Sequence, residues 1–248
     1  MGILGLFAAG GAAGLVGSLL GVGGGLVVVP VLHLLFGVPL RTAVGTSLVV
    51  ITGTSLVGTA GYLRRGWTMF DLALRLELGA LIGAVAASRL APRVPEHTVA
   101  WIFALVLTAT ALQLAIRSGR RPGEERPTES RLRRGLAWGL APLGGGASGL
   151  LGIGGGLVQV PILRLALGLE MRRAVATSTA TVGWTASLAA LAYLGRGEVD
   201  LAAAPWLLAG ILAGGGLGPV LAGRIPRRGL ELLFAVLLLW TAWKVVQG

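Results

Sequence analysis

"GVGGGLVVVP" spans residues 21–30, and "GIGGGLVQVP" spans residues 152–161. Each line holds three consecutive glycines, Gly23, Gly24 and Gly25 in the first and Gly154, Gly155 and Gly156 in the second. A glycine inside a helix is about 1 kcal/mol worse than an alanine. Three in a row, with Gly21 or Gly152 before them and Pro30 or Pro161 after them, predict a break in an otherwise apolar helix. What such a break is for depends on the medium around it.

The surroundings predict a bilayer. Of 248 residues, 54% are hydrophobic and 12% are charged, whereas a soluble domain carries about 25% charged residues. Residues 42–63, 98–116 and 174–195 contain no charge, and 199–223 contain only Asp200. Each run approaches the roughly 20 residues with which a helix crosses a membrane. A soluble helical protein with a large core is the alternative, but these runs leave it no polar face. Residues 1–20 lack a basic leader, and a matching segment, 135–151, stands in mid-chain. They read as part of the membrane domain rather than as a cleaved signal.

Composition also removes several chemistries. There are no cysteines, hence no disulfides, thiolate metal sites or cysteine nucleophiles. His33 and His97 stand far apart with few acids nearby, so no metal or cofactor site is expected. GVGGGL lacks the spacing of a dinucleotide fingerprint, and no lysine follows it as in a P-loop. The expectation is a protein that is not an enzyme. The net charge of +11 sits in short loops and one linker, where it sets membrane orientation. No nucleic-acid partner is expected.

The chain is one unit written twice. At a fixed offset of 131, Gly21, Gly23–Gly25, Leu26, Val27, Val29 and Pro30 fall on Gly152, Gly154–Gly156, Leu157, Val158, Val160 and Pro161. Arg41, Ala43, Val44, Thr46 and Ser47 fall on Arg172, Ala174, Val175, Thr177 and Ser178. Tyr62, Leu63, Arg65 and Gly66 fall on Tyr193, Leu194, Arg196 and Gly197. One gapless offset through polar landmarks marks a duplication. The expected organisation is a first transmembrane repeat, 1–116, a polar linker, 117–134, and a second repeat, 135–248. Helical segments are expected at 3–20, 26–36, 42–63, 69–90 and 97–117, and again at 135–151, 157–167, 173–194, 200–222 and 228–246. The fold class is an all-α polytopic membrane protein, each repeat a glycine-broken hairpin plus three transmembrane helices.

Charge favours inverted repeats. With the arginine-rich linker in the cytoplasm, inversion also places Arg64, Arg65, Arg172, Arg173, Arg224, Arg227 and Arg228 inside, and leaves only Arg41, Arg89, Arg93, Arg196 and Lys244 outside. Parallel repeats split the basic residues more evenly. Inverted repeats with interrupted helices at matching positions are a recurring plan for secondary transporters.

Broken backbone in a bilayer is tolerated only where protein or a wet cavity covers it. Two functions fit the glycine lines. Freed amides at the start of the following helix, without Cβ atoms in the way, form a nest for a small anion. Alternatively the glycines let helices pack closely, as is expected of Gly79, Gly83 and Ala87 and of Gly210, Gly214 and Gly218. Thr46, Ser47, Thr177, Ser178 and Thr179 open the next helix, where hydroxyls reach a ligand or bond to backbone carbonyls. His33 and Arg164 occupy matching places after the prolines; such groups attract an anion, relay a proton or snorkel to an interface. Gln159 replaces Val28 in the glycine line and is a candidate ligand contact. Asp71 and Arg75, four apart, are expected to pair at a helix end. Glu77 has only Leu208 as its counterpart and is the candidate for a coupling proton site.

In its two G-x-G-G-G-x-x-x-x-P lines, each followed by R-x-A-V-x-T-S at 41–47 and 172–178, the chain resembles the TauE/SafE family of membrane proteins, the sulfite exporter group. The resemblance covers essentially all of it outside the linker. It implies an inner-membrane transporter of small sulfur oxyanions, such as sulfite or an organosulfonate, with a link to the proton gradient; the two repeats add the expectation of a secondary transporter working by alternating access. A passive anion channel and a non-transporting partner subunit are the alternatives. The expected partners are a small oxyanion and the lipid bilayer; a second copy of the chain stays open as a third.

Overall fold

The computed structural model describes residues 2–90, 131–152 and 154–226, with single positions between 95 and 112 and between 228 and 243. Helices are α1 (Ile3–Leu20), α2 (Gly25–Pro30), α3 (Leu40–Leu63), α4 (Phe70–Leu90), α5 (Arg131–Leu151), α6 (Gly156–Pro161), α7 (Met171–Gly195), α8 (Ala204–Gly215) and α9 (Leu217–Arg224). Among the described residues there is no strand. Ile3–Leu20, Leu40–Leu63 and the run Ala204–Arg224 are long and apolar enough to cross a membrane. The helices expected at 97–117 and 228–246, and the linker up to residue 130, lie outside the described residues.

The glycine lines do break the helix. Gly21, Gly23 and Gly24 have φ of 72°, 81° and 86°, and Gly152 and Gly154 have 62° and 74°, a left-handed region that residues with a Cβ rarely enter. The prolines behave differently from a stop signal. Pro30 and Pro161 stand inside the helical run, and each is followed by a π-helical turn, Val31–Leu35 and Ile162–Ala166. A proline supplies no N–H to the ladder, and widening the next turn is one way for the chain to continue. Two expected boundaries also move. α5 includes residues 131–134, expected in the linker, because Arg-Leu-Arg-Arg are good helix formers with no breaker among them. The stretch expected as one helix, 200–222, divides at Gly216, where three consecutive glycines end.

The helices pack across the two halves. α3 and α7 cross antiparallel: Thr52 Oγ1 lies 3.1 Å from Ser187 Oγ, Ser55 Oγ donates to Thr179 O at 2.6 Å, and Gly58 abuts the Thr179 side chain. α1 lies on α8 and α9, while α5 lies on α4. Small residues permit both contacts. Gly10 and Gly14 sit on the backbone of Leu207 and Ile211, and Gly145 and Gly149 on the carbonyls of Ala80 and Ala84. From the other side, Gly79 and Gly83 face Ala141 and Pro142, Gly210 and Gly214 face Gly11, and Gly218 faces Ser18. The stripes of small residues are therefore packing faces, as their spacing suggests. Tyr62 OH donates to Ser18 O at 2.8 Å and Tyr193 OH to Gly149 O at 3.0 Å, which ties α1 to α3 and α5 to α7 by the same bond.

Candidate substrate site at the glycine breaks

The two breaks meet in the buried interior. A Cβ on Gly156 would collide with Gly21 O and Val22 Cα, and one on Gly154 would meet Val22 O at 2.7 Å. Ile51 of α3 and Val182 of α7, both fully buried, flank Gly23 and Gly154. The close approach needs glycine on both sides.

The serines expected near a ligand hold this junction. Ser47 Oγ donates to Gly152 O at 2.6 Å, and Ser178 Oγ donates to Gly21 O at 2.8 Å. Each half thus grips the other half's break. The threonines beside them are also occupied: Thr46 Oγ1 donates to Thr42 O at 2.7 Å and accepts from Asp200 N at 2.8 Å, while Thr177 Oγ1 accepts from Met69 N at 3.2 Å. Thr179 Oγ1 bonds back to Val175 O at 2.8 Å. Some first-turn amides are closed as well. Val27 and Val28 donate to Gly24 O, and Val158 and Gln159 to Gly155 O.

His33 and Arg164 act beyond the prolines. His33 Nδ1 lies 2.9 Å from Val38 O, and Arg164 Nη1 donates to Leu169 O at 3.2 Å. Both reach a carbonyl five residues on and pin the turn that follows each short helix. His33 is exposed and Arg164 is buried. Asp71 and Arg75 are both exposed on α4 and form no ion pair with each other, so the expected structural pair is absent.

The two breaks differ in one respect. Gly17 of α1 lies so close to Gly24 that a Cβ there would meet its backbone N and Cα. The equivalent position in α5 is Ser148, whose side chain needs that space, and Gly155 takes a right-handed φ of −59° where Gly24 has 86°. Around the second break lie polar atoms that nothing satisfies. Gln159 Oε1 accepts from Thr181 Oγ1, whereas Gln159 Nε2 has no partner, and neither has Ser148 Oγ. Glu77, 3% exposed on α4, has no partner for either oxygen. Native interiors pair nearly all their polar groups, and the exceptions call for a reason. Ser148 and Thr181 were not singled out from sequence, although comparing the halves marks both: their counterparts are Gly17 and Val50.

A sequence profile described as Sulfite exporter TauE/SafE matches residues 6–245. The chain belongs to the TauE/SafE family. It is 28% identical over 247 residues to a probable membrane transporter protein of Xylella fastidiosa (strain 9a5c), covering 94% of each chain. It is 26% identical to the probable membrane transporter protein YunE of Bacillus subtilis, covering 92% of this chain and 91% of that one. A plant relative, Sulfite exporter TauE/SafE family protein 5 of Arabidopsis thaliana, is 36% identical over 113 residues, 43% of this chain and 24% of the other. No solved structure matches. The TauE/SafE profile and the apolar helices together make this chain a membrane transporter of the sulfite exporter family.

Proposed function

We infer that the protein is a secondary transporter that moves a small sulfur-containing oxyanion, such as sulfite or an organosulfonate, across the cell inner membrane by alternating access. Its moving parts are the two repeats, 1–116 and 135–248, in inverted orientation, with the linker on the cytoplasmic side. The observation that carries this reading is the second break: a buried, unpaired Gln159 amide beside Gly155, at the contact between the two halves. An amide N–H held out of water is a donor for an anion's oxygen, and the glycines beside it leave the backbone open to close approach. The antiparallel crossing of the equivalent helices α3 and α7 supports inversion, since a repeat turned over in the membrane reverses its helices. Mutual clasping by Ser47 and Ser178 supports coupled movement, because neither break can shift without the other half. Gly23–Gly25 and Gly154–Gly156 form the floor of the site, and Glu77 is the group through which a proton is coupled. Ser47, Ser178, Thr46 and Thr177 border the site and hold its shape, while His33 and Arg164 stand at its outer approaches.

Flux measured in proteoliposomes tests this. Sulfite efflux from loaded vesicles should saturate and should accelerate when sulfite is present on the far side, as exchange through an alternating site requires. Flux that neither saturates nor responds to sulfite on the far side would mean a channel. Absence of any oxyanion flux, with correctly inserted protein, would leave the partner-subunit reading.

A further inference from the structure

The two ends of α3 differ in how their arginines are matched. Past the C-terminus of α3 stand Arg65 and Trp67, whose equivalents in the second half are Arg196 and Glu198. Arg196 Nε donates to Glu198 Oε2 at 2.7 Å, and its guanidinium lies 4.3 Å from the Tyr193 ring centroid. That group sits at the start of α3: a Cβ on Gly45 would meet Glu198 O, and Asp200 N donates to Thr46 Oγ1. Arg196 is thus neutralised where it stands. Arg65 is not, because an indole takes the place of the carboxylate.

Trp67 also gathers a second guanidinium. Arg65 Cζ lies 5.5 Å and Arg172 Cζ 5.6 Å from the Trp67 ring centroid. Arg172 belongs to the first turn of α7, so the two cations come from different halves. Both touch the end of α9 as well. Arg172 Nη2 donates to Ile225 O at 3.1 Å and reaches Gly223 O at 3.5 Å. A Cβ on Gly223 would lie 3.1 Å from Arg65 Nη1 and 3.5 Å from Trp67 Cη2. Arg172 Nε is buried without a partner. Among the described residues no carboxylate pairs with either guanidinium; Asp71 and Glu170, the acids nearest in the chain, are both exposed.

Arginine in cytoplasmic loops orients a membrane protein wherever in those loops it lies. Orientation does not call for two guanidiniums, one from each half, on a single indole. The ring offsets part of their repulsion, and an anion between them offsets more. The guanidinium fork matches the paired oxygens of an oxyanion. The start of α7, a 25-residue helix, adds the positive end of its dipole. Further along the same helix, about 9 Å from Arg172 on the axis, stands Ser178, which clasps Gly21 of the first break.

We propose that Arg65, Trp67 and Arg172 form an outer binding site for the transported oxyanion, at the cytoplasmic mouth of the protein, and that the opposite mouth, where Glu198 pairs with Arg196, has no equivalent. The anion rests against the two guanidiniums before it moves along α7 to the breaks. This rests on the oxyanion-transport reading above, with its inverted repeats, and adds that the two faces of the protein meet the anion with different affinities.

Initial rates of sulfite uptake into inside-out and right-side-out membrane vesicles, set against vesicles that lack the protein, test this. Wild type should half-saturate at a lower sulfite concentration in inside-out vesicles, and added salt should shrink the difference. Trp67→Glu gives Arg65 the carboxylate that Arg196 has, and Arg65→Gln removes the charge. Each should raise half-saturation about five-fold in inside-out vesicles alone, the scale of one unit charge about 4 Å away in water, with the maximal rate unchanged. Equal shifts from both faces, a lower maximal rate with half-saturation unchanged, or no shift in either variant each overturn the proposal while leaving oxyanion transport standing. Absence of sulfite uptake by the wild type overturns that reading and this one with it. Arg65 is exposed, so Arg65→Gln keeps the test alive if Trp67→Glu does not fold. A lipid phosphate offers the same oxygens, and melting of wild type and Arg65→Gln in phosphatidylcholine nanodiscs, with and without phosphatidylglycerol, separates the two sources. Stabilisation by phosphatidylglycerol that Arg65→Gln abolishes, with sulfite half-saturation unchanged, would give the site to a headgroup and overturn the proposal.

Discussion

Ser178 Oγ donates a hydrogen bond to the carbonyl of Gly21, 2.8 Å away and 157 residues earlier in the chain. Its counterpart, Ser47 Oγ to Gly152 O at 2.6 Å, runs the other way. Both hydroxyls are buried and both carbonyls belong to a broken helix, where the regular ladder cannot serve them. The clasps thus satisfy acceptors that the glycine breaks expose.

Ser178→Ala should destabilise the protein by about 1–3 kcal/mol, the cost of leaving a buried carbonyl unpaired, and Ser47→Ala should do the same. Melting of the detergent-solubilised variants measures this. A pair of variants that melt like wild type would mean that the carbonyls find other donors and that the clasps are dispensable.

Glycine substitutions should divide sharply by position. Gly156→Ala forces a methyl onto Gly21 O and Val22 Cα, whereas Gly139→Ala on α5 meets nothing within 4 Å. The first should cost about 1–3 kcal/mol or more by overpacking. The second should be neutral or raise stability by up to about 1 kcal/mol through helix propensity. Expression yield and thermal melting of the two variants side by side check the contrast.

Gln159→Val puts the first half's own residue into the second break. Removing an unpaired buried amide should leave the empty protein as stable as wild type or more so. Sulfite flux should fall about ten-fold or more, on the scale of a lost hydrogen bond to a charged ligand. Lower stability together with intact flux would assign Gln159 to packing instead.

Inversion can be read by chemical labelling, because the chain contains no cysteine. Arg64 and Gly195 are equivalent positions at the ends of α3 and α7; both are exposed, and a Cβ on Gly195 meets nothing. Arg64→Cys and Gly195→Cys should react with a membrane-impermeant thiol reagent from opposite sides of the membrane, Arg64→Cys from the cytoplasmic side. Labelling of both from one side would make the repeats parallel.

Much of the fold was legible because its signals are local. A run of three glycines cannot hold a helix, and uncharged runs of about twenty residues need a bilayer. Stripes at Gly79 and Gly83 and at Gly210 and Gly214 announce close helix contacts by their spacing alone. The turns after Pro30 and Pro161 were not legible in this way. A proline warns of an interruption, but whether the chain stops, kinks or widens by one residue depends on what packs around it. The seam at Gly216 is of the same kind.

The candidate site was half legible. Gln159 and Glu77 stand out because their counterparts, Val28 and Leu208, are apolar. Ser148 and Thr181 carry the same signal more faintly, since serine and threonine in a membrane helix usually bond back to their own ladder. Only packing shows that Ser148 Oγ has no partner and that Thr181 reaches Gln159.

By itself the sequence determined the membrane class, the two matching glycine lines 131 residues apart and the places where helices must break, because composition and backbone preference act over a few residues. The tertiary structure alone decided that the breaks meet, that each is clasped by a serine of the other half, and that Ser148 Oγ and Gln159 Nε2 are buried without partners. The first two are contacts between residues more than 100 positions apart, and a hydrogen bond between Ser178 and Gly21 leaves no trace in the chain near either residue.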